Sequence, residues 1–94
     1  MFVTVWRFTT DQPDVFEHHY GPNGTWAQLF RRSGDYLRTD LLKGTDAYIT
    51  LDWWTSLDAY NTFREQHAED YAKVDVACEA VTTFEEKLGE FESR

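Results

Sequence analysis

Four stretches of the chain alternate hydrophobic and polar positions, and each stretch predicts a β-strand. They cover residues 2–8, 36–42, 47–54 and 82–91. In the third stretch, Tyr48, Thr50, Asp52 and Trp54 share one face, and Ala47, Ile49, Leu51 and Trp53 share the other. Neither face of these strands is purely polar. The pattern therefore favours a sheet that is covered on both sides.

Helical spacing fills the gap between the first two strands. Asp11 is predicted to cap a helix that carries Pro13 in its first turn. The run 21–24, which contains two glycines and a proline, is predicted to interrupt that helix. Thr25 is the predicted cap of a second helical piece, and Gly34 is the predicted left-handed exit from it.

A second helix is predicted between the third and fourth strands. Ser56 is its expected N-cap, and the inward stripe is formed by Leu57, Tyr60, Phe63, His67 and Tyr71. A bend is expected near residues 69–70. In the last strand Phe91 is out of phase with Phe84, and a bulge at Gly89 is predicted to return it to the same face.

The order of elements is strand, helix, strand, strand, helix, strand. This order predicts an α+β, ferredoxin-like fold, with a four-stranded antiparallel sheet and both helices on one face. One domain is expected over residues 1–94. The uncovered sheet face carries aromatic side chains, so a second copy of the chain is expected to pack against it as a homodimer.

Composition narrows the classes of partner. A formal net charge of −8 disfavours nucleic acid and anionic membrane surfaces. The single cysteine, Cys78, excludes an internal disulfide and a cysteine-based zinc site. No leader or membrane-spanning run is visible, so a cytoplasmic protein, complete from its first residue, is expected. The chain has 4 Trp, 5 Tyr and 7 Phe, which suggests that some rings line a pocket or meet a partner.

Residues 48–63 carry a more specific signal. A strand that ends in Trp54, followed by Ser56 and then by Tyr60 and Phe63 on a helix, resembles the antibiotic biosynthesis monooxygenase-like domains of the dimeric α/β-barrel superfamily. His67 and the closing Glu85, Glu86, Gly89 and Phe91 are similar to the family pattern as well. The interrupted first helix departs from it. The resemblance implies a dimeric α/β barrel that oxidises an aromatic or polycyclic phenol or quinol without a cofactor.

The resemblance also implies a set of pocket residues. His67, Trp54 and Tyr71 are the candidate catalytic residues, which would orient the substrate. The candidate ligand-binding residues are His19, Tyr20, Trp26, Tyr36 and Phe63. Each of these side chains has an alternative interpretation as a core or dimer contact. The run 21–24 is either a lid or a simple helix break.

Two other functions stay open from the sequence. A haem-binding or haem-degrading protein would use His67 as axial ligand, but relatives of that kind also use an asparagine in the first strand, which this chain lacks. A non-catalytic ligand-binding or accessory dimer is the other alternative. No metal site is predicted, because His18 and His19 are adjacent and point about 100° apart on a helix.

Overall fold

The computed structural model describes all 94 residues and has four strands and four helices. The elements are β1 (Phe2–Thr9), α1 (Pro13–Tyr20), α2 (Thr25–Phe30), β2 (Tyr36–Lys43), β3 (Tyr48–Trp54), α3 (Leu57–Gln66), α4 (Ala68–Cys78) and β4 (Phe84–Glu92). The sheet order is β2-β3-β1-β4, and every neighbouring pair is antiparallel. The predicted α+β, ferredoxin-like fold is confirmed, with each predicted helix divided into two segments.

The first division lies at Gly21 and Gly24, as predicted. A Cβ at Gly21 would lie 2.7 Å from the carbonyl oxygen of Glu17, and one at Gly24 would lie 2.6 Å from that of His18. Only glycine allows the backbone to approach so closely. The turn is held further by a 2.7 Å hydrogen bond between the His19 and Thr25 side chains. The segment is thus a packed turn between two helices.

Three of the predicted helix ends are wrong. Asp11 does not cap α1. Its N-cap is Gln12, and the chain before it is held by Thr10, whose hydroxyl accepts from the Gln12 N–H at 2.9 Å. Thr25 does not cap α2 either, because Gly24 occupies the N-cap position. The only glycine with a positive φ is Gly89, so the left-handed exit predicted at Gly34 is absent.

The second division lies at His67, which ends α3 and precedes α4 with a φ of −118°. The break comes a little before the predicted bend at 69–70. Ser56 caps α3 as predicted, because its Oγ accepts a hydrogen bond from the Ala59 N–H at 3.1 Å. The cap fixes where the chain leaves β3 and turns back over the sheet.

The predicted bulge in β4 is confirmed. The register between β1 and β4 shifts between Val5 and Trp6, where their partners are Gly89 and Lys87. Gly89 has a φ of +158°, and a Cβ there would lie 2.8 Å from the ring of Phe91. The extra residue returns Phe91, the partner of Val3, to the outer face of the sheet.

The core lies between the four helices and the inner face of the sheet. It is a cluster of 15 buried residues, most of them aromatic. At its centre Trp54 is fully buried, and four other rings surround it with centroids 5.1–5.4 Å away: Phe30, Tyr36, Tyr60 and Phe63. None of the helices is long and apolar enough to cross a membrane.

The outer face of the sheet carries no helix. The strand register places on it Val3, Val5, Ile49, Leu51, Trp53 and Phe91. At its margins Leu42, Phe84 and Phe91 are 55%, 49% and 53% exposed. An apolar outer face of this kind was predicted from the sequence, and we call it the open face below.

Candidate functional site

A cavity of about 110 Å³ lies between the helices and the inner face of the sheet. It is lined by Trp6, Phe8, Tyr20, Trp26, Phe30, Thr50, Asp52, Asp75 and Glu85. The sheet supplies the floor through β1 and β3, and α1 and α2 supply the aromatic walls. We call it the inner cavity.

The walls of the inner cavity are interlocked rings. Phe8 and Tyr20 have centroids 4.7 Å apart, and Tyr20 stacks on Phe16 at 4.4 Å. Trp26 contacts Phe30 at 5.8 Å and so links the cavity to the core. Rings packed in this way hold their positions, so the cavity is formed before a ligand enters it.

Trp26 contributes an unpaired polar group. Its indole Nε1 is buried and makes no well-aligned hydrogen bond within the protein, although the Tyr20 hydroxyl and the Cys78 thiol lie close to it. A buried donor without a partner is uncommon and costs free energy. A ligand oxygen within the cavity is the kind of acceptor that it lacks.

Asp52 is the ionisable group on the floor of the inner cavity. It is half-buried, and its Oδ1 accepts a hydrogen bond from the Thr39 hydroxyl at 2.6 Å. Burial raises the pKa of Asp52 to about 6, although hydrogen bonds from Thr39 and Thr4 act in the opposite direction. A carboxyl with such a pKa exchanges protons near neutral pH.

The mouth of the inner cavity is acidic. A second cavity of about 180 Å³, the outer cavity, runs between α4 and the start of β4 and shares Tyr20, Asp75 and Glu85 with the inner one. No lysine or arginine lines either cavity. Burial, with Asp75 and Glu79 nearby, raises the pKa of Glu85. The mouth therefore disfavours anionic ligands.

Comparisons with known proteins identify the fold. No protein-family model matches the sequence, and no curated protein matches it. Among solved structures, SnoaB from Streptomyces nogalater, a cofactor-independent oxygenase, is 27% identical, with a TM-score of 0.79 over 99% of this chain and 92% of that chain. A putative antibiotic biosynthesis monooxygenase from Nitrosomonas europaea is 12% identical, with a TM-score of 0.68 over 99% of this chain and 98% of that one.

The chain has the antibiotic biosynthesis monooxygenase-like fold. The resemblance inferred from residues 48–63 is confirmed. A third structure, a variant of MhuD solved with manganese protoporphyrin IX, is 20% identical with a TM-score of 0.50, over 99% of this chain and 94% of that chain. At that identity the likeness concerns the fold alone.

Within this monooxygenase-like fold, two of the predicted ligand-binding residues line the inner cavity, namely Tyr20 and Trp26. The other three lie beside it. His19 bonds Thr25 in the helix–helix turn, Phe63 is buried in the core, and Tyr36 donates to Thr39 behind the cavity floor.

The three candidate catalytic residues lie outside the cavity lining. Trp54 is in the centre of the core, and its indole Nε1 has no hydrogen-bond partner. His67 packs on Phe63 at the break between α3 and α4, with ring centroids 4.8 Å apart. Tyr71 packs edge-on against Trp26 at 4.9 Å, beneath the guanidinium of Arg64. All three are thus placed to support cavity walls and core.

Seven of the nine lining residues were not predicted as site residues, and Asp52 is the one among them on the cavity floor that can ionise. Its signal was visible in the pattern, because β3 places Asp52 in the same phase as Tyr48, Thr50 and Trp54. A carboxylate in an inward phase is an exception to the rule that charged side chains stay outside. Phe8, Phe30 and Thr50 have no such distinguishing feature.

The residues present do not fit a haem group. No histidine lines either cavity, so neither cavity offers an axial ligand for haem iron. No group of three or more His, Cys, Asp or Glu side chains is placed to hold a metal ion.

Proposed function

We propose that this protein is a cofactor-independent monooxygenase that acts on an anthrone-type substrate, an aromatic ring system with a phenol and an activated methylene group. The observation that carries the proposal is the inner cavity, where five aromatic rings surround a single floor carboxylate. Its shared fold with SnoaB, described as a cofactor-independent oxygenase, supports the proposal.

The proposed fused-ring substrate would have to occupy both cavities. A dry apolar cavity of about 150 Å³ accepts a benzene ring, so the 110 Å³ inner cavity accommodates at most one ring. Further rings would extend into the adjoining outer cavity, past Tyr20. A ligand of this shape replaces water over its whole aromatic surface.

The reaction balances without a reductant. The methylene carbon loses a proton, and the resulting enolate gives electrons to O₂. One oxygen atom becomes the carbonyl oxygen of the product, and the other leaves as water with the two hydrogens. The substrate supplies all the electrons, so the protein has only to bind, desolvate and deprotonate it.

Trp26 is the proposed donor to the substrate oxygen. Its unpartnered indole N–H would stabilise the enolate oxygen as charge develops there. In this proposal Trp54, His67 and Tyr71 support the cavity walls and the core. Tyr71 holds the Trp26 ring, and Trp54 holds Phe30 with centroids 5.4 Å apart.

The direct test is oxygen uptake with dihydroxyanthrone and dialysed protein, with a chelator present and no added flavin. We expect saturable uptake with one O₂ consumed for each quinone formed. Uptake that requires added flavin or metal, or no uptake at all, contradicts the proposal. Absence of uptake together with saturable quenching of tryptophan fluorescence supports the alternative, a non-catalytic ligand-binding protein.

Substitution of Trp26 by phenylalanine tests the donor. The change keeps a ring but removes the N–H and part of an indole that packs in the core, so the free energy of unfolding is expected to fall by about 1–3 kcal/mol. The value of kcat/KM is expected to fall about tenfold, the worth of one hydrogen bond. Tyr48→Phe, which removes a hydroxyl outside both cavities, is the matched control. An unchanged kcat/KM in W26F contradicts the role of the indole.

We also propose that the working unit is a homodimer joined through the open face. Strand register places Arg7 and Arg38 on this face with Glu86 and Asp40. The face is thus formally neutral although the chain carries −8. Two copies can therefore bury their apolar centres without opposing like charges.

The dimer is tested by sedimentation over a micromolar dilution series. Leu51 pairs with Val5 and Asp40 near the centre of the open face, so Leu51→Glu is expected to yield monomers. Leu57→Glu, on the partly exposed start of α3, is the matched control and is expected to leave the dimer intact. A wild-type monomer at all concentrations refutes the proposal.

A cytoplasmic location fits a chain with one unpaired cysteine.

A further inference from the structure

The carboxylate on the cavity floor is held by a short chain of hydroxyl groups. The Thr39 hydroxyl donates to Asp52 at 2.6 Å, and the Tyr36 hydroxyl lies 2.7 Å from the same Thr39 oxygen. Thr39 has one hydrogen, and it is directed to the carboxylate, so Tyr36 must donate to Thr39. The chain fixes the orientation of Asp52 from behind the floor.

No salt bridge neutralises a charge at this position. None of the salt bridges of the chain includes Asp52. Other titratable groups face it from every neighbouring element: Tyr36 on β2, Tyr20 on α1, Arg64 over Tyr71 from α3, Tyr71 and Asp75 on α4, and Glu85 and Lys87 on β4. The cations named among these groups have other partners, since Arg64 stacks on Tyr71 and Lys87 binds Glu90.

We infer that Asp52 is the catalytic residue that removes the proton from the bound substrate, and that Thr39 is the positioning residue for its carboxylate. The inference rests on the proposed function. It adds the identity of the base, which neither the fold nor the neighbouring structures supply.

The transfer conserves charge within the cavity. The C–H bond of the methylene breaks, its electron pair enters the ring as an enolate, and the proton forms an O–H bond on Asp52. One buried negative charge is thus replaced by another, now spread over an aromatic system. The neutral acid left behind can donate a hydrogen bond to the enolate. Burial raises the pKa of Asp52, so its carboxylate is a stronger base and the proton moves more readily from the substrate to it.

The test is exchange of the methylene hydrogens of dihydroxyanthrone for deuterium in D₂O without oxygen, followed by proton NMR. The wild-type protein is expected to accelerate exchange. Asp52→Asn is expected to lose about 10²- to 10⁴-fold of that acceleration. Quenching of tryptophan fluorescence checks that the variant still binds the probe. Asp46→Asn makes the same chemical change in the exposed β2–β3 turn, and it is expected to match the wild type.

The pH profile separates a base from a merely structural residue. The exchange rate of the wild type is expected to rise with pH and to level off above about 6, the pKa of Asp52. Thr39→Val removes a hydrogen bond that lowers this pKa, so the rise is expected to move about one pH unit higher. Thr39→Ser keeps the hydroxyl and is expected to keep the profile of the wild type.

The outcomes distinguish the two proposals. Exchange without oxygen uptake defeats the oxygenase function and leaves Asp52 as the base. Oxygen uptake that Asp52→Asn does not slow defeats the inference and leaves the oxygenase function. Absence of exchange in the wild type with saturating probe, or a profile that Thr39→Val does not move, also overturns the inference.

Discussion

Replacement of Asp52 by asparagine is expected to stabilise the protein while it slows proton transfer. The pKa of Asp52 rises from 3.8 to about 6 on folding. At about 1.4 kcal/mol for each pKa unit, the charged carboxylate costs the folded state about 3 kcal/mol near neutral pH. Asparagine retains an oxygen for the Thr39 hydroxyl and carries no charge, so that cost disappears.

The sign of the effect follows from proton linkage. Between the two pKa values the folded protein binds more protons than the unfolded chain, so wild-type stability falls as pH rises through about 6. The stabilisation of Asp52→Asn over the wild type is therefore expected to grow by about 2.5 kcal/mol between about pH 4 and about pH 8.

Urea unfolding at fixed protein concentration measures this difference at each pH. Other carboxylates titrate in both proteins and cancel in the comparison. Asp46→Asn, in the exposed turn, is the control, and its difference from the wild type is expected to stay constant. A difference for Asp52→Asn that is equally flat across this range would refute the reasoning, since burial would then not have raised the pKa.

Four further predictions concern packing and binding. Ser56→Ala is expected to lower the free energy of unfolding by about 1 kcal/mol through loss of the α3 cap, and Trp54→Ala by about 3–5 kcal/mol through loss of core contacts, both by urea unfolding. Gly24→Ala is expected to cost about 1–3 kcal/mol, whereas Gly34→Ala, where a Cβ meets nothing within 4 Å, is expected to cost less. In fluorescence titrations an aromatic amine is expected to bind more tightly than an aromatic carboxylate of equal size. Glu85→Gln is expected to reduce the difference in affinity between these two ligands.

The order of the elements was predictable because each signal is local. Alternation of apolar residues marked the strands, and glycine with proline at 21–24 marked the helix break. The bulge at Gly89 followed from the phase of Phe91 alone. These features depend on a few adjacent residues, so the rest of the fold does not override them.

Helix caps were less predictable because several neighbouring residues compete for the same role. Thr10 holds the chain before α1 in place of Asp11. The Thr25 hydroxyl bonds His19 and so does not cap α2. Each of these choices depends on a partner from another turn or element, which a cap pattern in the sequence does not include.

The sequence predicts an aromatic pocket, but it does not indicate which inward side chains line the cavity. Helical periodicity indicated that Tyr20, Trp26, Tyr71 and His67 face inward, but it does not indicate whether an inward side chain meets another side chain or a void. Tyr20 and Trp26 border the cavity, whereas Tyr71 lies behind Trp26. That distinction depends on how the four helices pack against the sheet, which is a property of the tertiary structure.

Asp52 is a residue that core packing alone does not favour at its position in β3. A strand that only had to build the core would carry an apolar residue between Thr50 and Trp54, since burial of a carboxylate lowers stability. The chain keeps the carboxylate, surrounds it with hydroxyl groups and provides no cation to neutralise it. Such a local departure from the folding pattern is expected where the protein needs reactivity rather than stability. In this protein it falls on the floor of the inner cavity, where the proposed substrate would lose its proton.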